Sequence, residues 1–229
     1  NMCRGIIQRH NTKNQTRSDI MLSSRKLPHR QQSAKELNCG AACFAMLLEH
    51  YKMRGKMKDI TAGVSGIVDG ELMCSNANMV QYALSRKLSC CIVAAKDPQS
   101  FMSFCLDSGY DLIALYHSSD DSEIGHFSVI SYVTNDSVFL NDPLRPAPDG
   151  INYEIPIATF CNKMRSRFPQ SKDSIKCSNT FILVSKEAPA GGLTQLGDSA
   201  NGLAFPVFTS VLDKIDFVLN PFSDEWIEL

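Results

Sequence analysis

No stretch of this 229-residue chain approaches the ~18 consecutive apolar residues of a membrane span, and its first residues have no continuous apolar core of the secretory-signal kind. No integral membrane segment is therefore expected. The chain also lacks an excess of either charge: 23 Lys and Arg face 24 Asp and Glu, for a net charge of −1. Binding to a phosphate backbone needs a clear cationic surplus on one face, so nucleic acid is not an expected partner. There is no Gly-x-x-x-x-Gly-Lys-Ser/Thr loop for nucleotide phosphates and no internal repeat. Nine cysteines are present, yet no Cys-x-x-Cys pair and no His-x-x-x-His completes a tetrahedral set, so neither a metal nor a cofactor is expected.

What is there is an ordinary globular balance, with 44% apolar and 21% charged residues, in a length that suits one core with appendages. The cysteines are odd in number and irregular in spacing. Most stand inside apolar runs, as Cys90 and Cys91 do before Ile-Val-Ala-Ala, where a reduced thiol packs as a small hydrophobe. This usage fits a reducing compartment better than a disulfide scaffold, which places the protein in a cytoplasm or in a host cytosol after secretion. Residues 1–30 hold Arg4, Arg9, Lys13, Arg17, Arg25, Lys26 and Arg30 against the single acid Asp19. With little apolar periodicity they read as a flexible basic arm, compatible with the secretion signal of a bacterial effector. Met2, behind a single Asn, reads as the native start.

Beyond the arm, Ala41–Tyr51 is an unbroken run of helix formers, nearly apolar all round, and is expected to be a central buried helix. Asn38 stands as its N-cap, which places Cys39 and Gly40 in the first turn. Further helices are expected over Ser75–Lys87, Pro98–Asp107 and Ile157–Phe168. Extended runs follow at Asp111–His117, His126–Val133, Ser137–Leu140 and Thr180–Ser185, separated by turn signals such as Asn135-Asp136. Helices first and an antiparallel meander afterwards predict an α+β architecture of two lobes with a groove between them.

Three elements carry chemistry in this order. A cysteine in the first turn of a buried helix meets exposed amides and the positive end of the helix dipole, which favour the thiolate at Cys39. Gly40 removes bulk beside the sulfur, the Cys39 amide is aimed where an oxyanion forms, and a glutamine upstream can supply a second donor. His126 opens an apolar strand after a polar loop, a placement that holds an imidazole firmly while facing the groove. Asp142, at the end of Phe-Leu-Asn-Asp-Pro, falls beside residue 126 in a strand–turn–strand hairpin and can set the imidazole tautomer; Asn141 can do the same as a neutral amide. Cys43, one turn beyond Cys39, is expected to face the core, with a resolving-thiol role as its alternative.

The sequences Gln…Asn-Cys-Gly-Ala-Ala-Cys-Phe-Ala-Met-Leu, Gly-His-Phe-Ser-Val-Ile and Val-Phe-Leu-Asn-Asp-Pro together resemble the bacteriocin-processing, double-glycine-leader cysteine peptidases of the papain-like clan, from about Gln31 to Lys186. The resemblance implies a papain-like fold, with a helical lobe carrying the nucleophile Cys39 and an antiparallel sheet lobe carrying the base His126 and the orienting Asp142. The family's oxyanion glutamine lies six residues before the cysteine, which here is Ser33; Gln32, just before it and ahead of Gln31, is assigned the role with one extra loop residue. The implied activity is hydrolysis of a protein or peptide substrate by a stand-alone member. Two rivals use the same scaffold: deamidation or transglutamination of glutamine by the same triad, and non-catalytic peptide binding. The expected organisation is the arm at 1–30, a peptidase domain at 31–188, and an apolar C-terminal extension at 189–229 that packs on it, with Val211–Leu219 partly helical.

Overall fold

The Ala-, Leu- and Met-rich run after Asn38 folds, in the computed structural model of the chain, as helix α1 (Cys39–His50), with nine of its residues buried. The structure describes residues 26–33, 38–68, 71–119, 125–165, 178–187, 191–197 and 204–229. Residues 1–25, most of the expected basic arm, lie outside these. The end of that arm is not loose, because Leu27 is buried and the Arg30 guanidinium pairs with Glu49 on α1.

After α1 come α2 (Met57–Val64), a hairpin of β1 (Ser65–Val68) and β2 (Glu71–Cys74), and α3 (Asn76–Ser85), whose N-cap Ser75 accepts from the Asn78 amide. β3 (Ser89–Ala95), α4 (Pro98–Asp107), β4 (Asp111–Tyr116), β5 (His126–Val133), β6 (Ser137–Asn141), β7 (Tyr153–Pro156), α5 (Ile157–Met164) and β8 (Thr180–Ser185) complete the region up to residue 187. The expected elements at Pro98–Asp107, His126–Val133 and Thr180–Ser185 appear with those bounds. Asp97 caps α4 and Pro98 opens it, the arrangement in which a missing N–H costs nothing.

Eight strands, among them β11 (Ile215–Asn220) and β12 (Glu225–Glu228) near the C-terminus, form one antiparallel sheet in the order β12-β11-β3-β8-β4-β5-β6-β7. Alternation along each strand divides the core in two. Cys90, Ile92, Ile113, Val129, Ile182 and Val184 pack toward α1, α2 and α3. Cys91, Val93, Leu112, Ala114, Ile130, Phe181 and Leu183 pack on the other face with Phe101, Phe160 and Phe208. The result is a mixed α+β papain-like arrangement, with a helical lobe set against one face of a large sheet.

The C-terminal segment joins this sheet. β9 (Leu193–Leu196) pairs with β10 (Phe205–Phe208), a 3₁₀ turn covers Thr209–Lys214, and β11 (Ile215–Asn220) pairs with β3 on one side and β12 (Glu225–Glu228) on the other. Within Val211–Leu219, expected to be partly helical, the helical part is the 3₁₀ turn that ends at Lys214, and Ile215 onward is strand, where Val218 pairs with Val93 in the sheet. The ring of Phe208 is fully buried, 4.8 Å from that of Tyr110.

Candidate active site

The first turn of α1 is where the helical lobe meets the sheet. Gly40 is required there by close approach, since a Cβ would stand 2.9 Å from the Met79 sulfur and 3.0 Å from the Cys74 Cβ. Asn38 precedes the helix, but its Oδ1 accepts from the Ser33 amide at 3.2 Å rather than capping the helix; it ties the upstream segment to the helix start. The Cys39 sulfur hydrogen-bonds to the His126 ring, to the Phe127 backbone and to the thiol of Cys74.

His126 begins β5, paired with Tyr116 across the sheet, and the Tyr116 ring meets it edge-on with centroids 5.5 Å apart. Its Nε2 donates to Asp142 Oδ1 at 2.7 Å, which leaves Nδ1 for the cysteine side. The carboxylate is held by several groups: the Leu144 amide at 3.0 Å and the Ser128 hydroxyl at 3.3 Å both donate to Oδ1, and Arg145 Nε lies 3.3 Å from Oδ2. Arg145 is itself fixed over the Tyr153 ring, 3.7 Å from its centroid.

A break in the hairpin register explains why Asp142, and not Asn141, faces the imidazole. Val133 pairs with Val138 and Tyr132 with Phe139, but below Ser131 the pairs are Ile130 with Leu140 and Val129 with Asn141. One extra residue on β5 is a β-bulge, and it turns the following side chains of the partner strand to the opposite face. Continuing the shifted register sets Asp142 opposite Ser128, on the face of His126. Asn141 points the other way, where its Nδ2 donates to the Leu27 carbonyl at 3.1 Å and its Oδ1 accepts from the Asn152 amide. The bulge is pinned by the Ser131 hydroxyl, which donates to the Phe139 carbonyl and to Asn152 Oδ1.

The segment before α1 straps this end of the hairpin. The Gln32 amide donates to the Pro143 carbonyl at 2.8 Å, and His29 Nε2 lies 3.0 Å from the Asp142 carbonyl oxygen. Gly150 is pressed against the same point, where a Cβ would come within 2.5 Å of His29 Nε2. The Gln32 Oε1 is buried with no hydrogen-bond partner among the described residues, while Gln31 is exposed. Gln31 instead lines a depression with Arg30, Glu49, Lys52, Tyr82 and Arg86 at the other end of α1, away from Cys39.

Electrostatics follow from this burial. Burial works against a charge on His126, but Asp142 and Cys39 overcome it and raise the imidazole to about 9. Burial likewise opposes the Asp142 charge, and His126, the Leu144 amide and Arg145 reverse the balance and hold the carboxyl below its usual range. The Cys39 thiol is pushed up to about 12, first by its hydrogen bond to Cys74 and then by burial, with His126 pulling the other way. Cys74 is drawn down mainly because Cys39 donates to it; burial opposes this, and the amides of Ala41 and Gly40 add to it. The helix-end amides of Gly40 and Ala41, expected to favour a thiolate at Cys39, thus bond to the neighbouring sulfur of Cys74. Nothing in the spacing of Cys74 signals this contact, since it arises from the approach of β2 to α1. Among the described residues no group of His, Cys, Asp and Glu forms a metal site.

A model of the peptidase C39 family matches residues 26–160, more than half of the chain. The chain belongs to the peptidase C39 family. It is accordingly a cysteine peptidase, a hydrolase. Among solved structures, a putative C39-like peptidase from Bacillus anthracis superposes with a TM-score of 0.51 at 14% identity, covering 72% of this chain and 96% of the other, and shows the shared fold. A double glycine motif protease from an AMS/PCAT transporter, in complex with the leader peptide, gives a TM-score of 0.46 at 18% identity over 70% of this chain and 91% of that one. The peptidase domain of Streptococcus ComA, a bifunctional ABC transporter of a quorum-sensing pathway, gives 0.47 at 13% identity over 70% and 99%. No curated protein sequence matches the chain. No helix among the described residues is long and apolar enough to cross a membrane.

Proposed function

We propose that this C39 family member cleaves a peptide bond through an acyl-enzyme on Cys39, with His126 as base and Asp142 as the residue that orients it. The observation that carries the reading is the relay itself: Asp142 on Nε2 at 2.7 Å and Cys39 on the remaining side of one imidazole. His126, a stronger base than an ordinary histidine because Asp142 favours its charged form, takes the Cys39 proton as the sulfur attacks the carbonyl carbon. The tetrahedral oxyanion is met by the Cys39 amide and by the Nε2 donor of the Gln32 side chain, on the segment strapped beside Asp142 by the Gln32 amide bond to the Pro143 carbonyl. Collapse breaks the C–N bond, and the imidazolium gives its proton to the departing amine. Water then attacks the thioester with His126 again taking a proton, which releases the acid and restores the thiol.

The substrate of this reading is a protein or peptide with small residues such as Gly-Gly before the cut. The functional unit includes the segment 189–229, because β11 extends the sheet that carries His126. Incubation with a proteome-derived peptide mixture, read by mass spectrometry, is expected to give new N-termini with the wild type and none with folded Cys39→Ala or His126→Ala. Ammonia release from glutamine without new N-termini would overturn the reading in favour of deamidation.

A further inference from the structure

One thiol next to this relay has no part in peptide cleavage. Cys74 ends β2, and its neighbour Ser75 both caps α3 and bonds through its amide to the Val64 carbonyl, so the hairpin and the helix hold it from either side. Its sulfur is hydrogen-bonded to that of Cys39 and to the amides of Gly40 and Ala41. The approach is built into the backbone, because the absent Cβ of Gly40 is what lets Cys74 come so near the first turn of α1. Cys39 and Cys74 each keep 9% of their surface exposed, whereas Cys43, the residue singled out by sequence for a resolving role, has none.

We propose that Cys39 and Cys74 are a redox pair that a hydroperoxide oxidises to a reversible disulfide, which blocks the nucleophile and shields it from permanent damage. In the first step the Cys39 sulfur, deprotonated by His126, attacks the outer oxygen of the peroxide; the O–O bond breaks and the alkoxide or hydroxide leaves with a proton. Cys39 is then a sulfenic acid. The Cys74 sulfur attacks it, forming the S–S bond and displacing hydroxide, which leaves as water with the Cys74 proton. Two electrons pass from the two thiols to one peroxide. The helix-end amides favour negative charge on the resolving sulfur, and contact between the sulfurs means it needs little movement. Exchange with a dithiol such as dithiothreitol restores both thiols. The regulatory consequence rests on the peptidase reading of Cys39; the disulfide itself does not.

The test treats the full chain with excess hydrogen peroxide, blocks remaining thiols, and digests with trypsin. The expected product links peptide 36–52, which holds Cys39 and Cys43, to peptide 59–86, which holds Cys74 alone, with fragmentation placing the bond on Cys39. Iodoacetamide labelling of Cys39 should be lost after peroxide and return with dithiothreitol in the wild type. In Cys74→Ser it should be lost and not return, because the sulfenic acid proceeds to the sulfinic form. Absence of the linked peptide, a bond on Cys43, or equal recovery in Cys74→Ser would overturn the proposal. The linked-peptide measurement uses the wild type and stands if the variant does not fold. A protein that forms the disulfide yet releases no new N-termini from peptides would overturn the peptidase reading and leave this one intact.

Discussion

Asp142→Asn isolates the electrostatic partnership on which the site depends. In the wild type His126 titrates at about 9 although the ring is buried, because Asp142 and Cys39 favour its charged form. The interval from the ordinary 6.5 to about 9, at 1.36 kcal/mol per pH unit, amounts to about 3 kcal/mol of preference for imidazolium. Asparagine keeps an oxygen able to accept the Nε2 proton but removes the charge, so burial, the largest influence on the ring, is opposed by Cys39 alone. The midpoint should fall by about 2 pH units or more, to near or below 6.5. Ring-nitrogen NMR across pH 4 to 10 (about the range in which imidazoles titrate) reads this directly, with His126→Gln assigning the signal among the five histidines. The linkage has a definite sign: a raised folded-state value stabilises fully below 6.5 and is lost as pH rises through about 9. Denaturant midpoints should therefore show the wild-type advantage over Asp142→Asn in the acid-to-neutral range, shrinking as pH passes 9. A midpoint that stays near 9 in Asp142→Asn would refute the reasoning, assigning the charge balance to Cys39 and leaving Asp142 a purely structural residue.

Two further outcomes are expected. Gln32→Ala should lower the rate of peptide cleavage by about 10²–10³ with little change in stability, as loss of an oxyanion donor does; full activity in that variant would move the role to Gln31 or to backbone amides. Phe208→Ala should cost about 3–5 kcal/mol in urea unfolding, because the ring is fully buried against Tyr110; a loss below about 1 kcal/mol would show that residues 189–229 are not part of the folded unit.

The parts of the fold that sequence reveals are those whose pattern is local. α1 is a run of helix formers closed by His50 and α4 carries its own Asp-Pro start, while β5 and β8 are β-branched and aromatic runs bounded by turns. β3 escapes the same reading because it is buried on both faces, so Cys90–Ala95 shows no alternation to separate a strand from a buried helix. The β1–β2 hairpin escapes it for the opposite reason: Ile67 and Leu72 are paired across the strands yet 72% and 68% exposed, which inverts the usual sense of an apolar residue. In the tail, the apolar spacing of Val211–Leu219 suits a helix as well as a strand, and the decision is made from outside by the open edge of β3.

The site divides along the same line. Cys39 and His126 are marked by local context, one at a helix start and the other at a strand start, but the choice between Asn141 and Asp142 is not local at all. Adjacent residues on a strand face opposite sides, so which one reaches the imidazole depends on the register of β6 against β5, and an unbroken hairpin would set Asp142 opposite Val129 and turn it away from His126. The bulge at Ser131 reverses that assignment, and what holds the bulge is a pair of hydroxyl bonds to Phe139 and Asn152, neither of which touches the relay. From the sequence, Asp142 is favoured over Asn141 only by resemblance to a family. The structure supplies the physical reason, one inserted residue, Ser131, eleven positions before the carboxylate. The contact of Cys74 with Cys39 has the same character, since it depends on where a hairpin outside the sheet comes to rest against the first turn of α1.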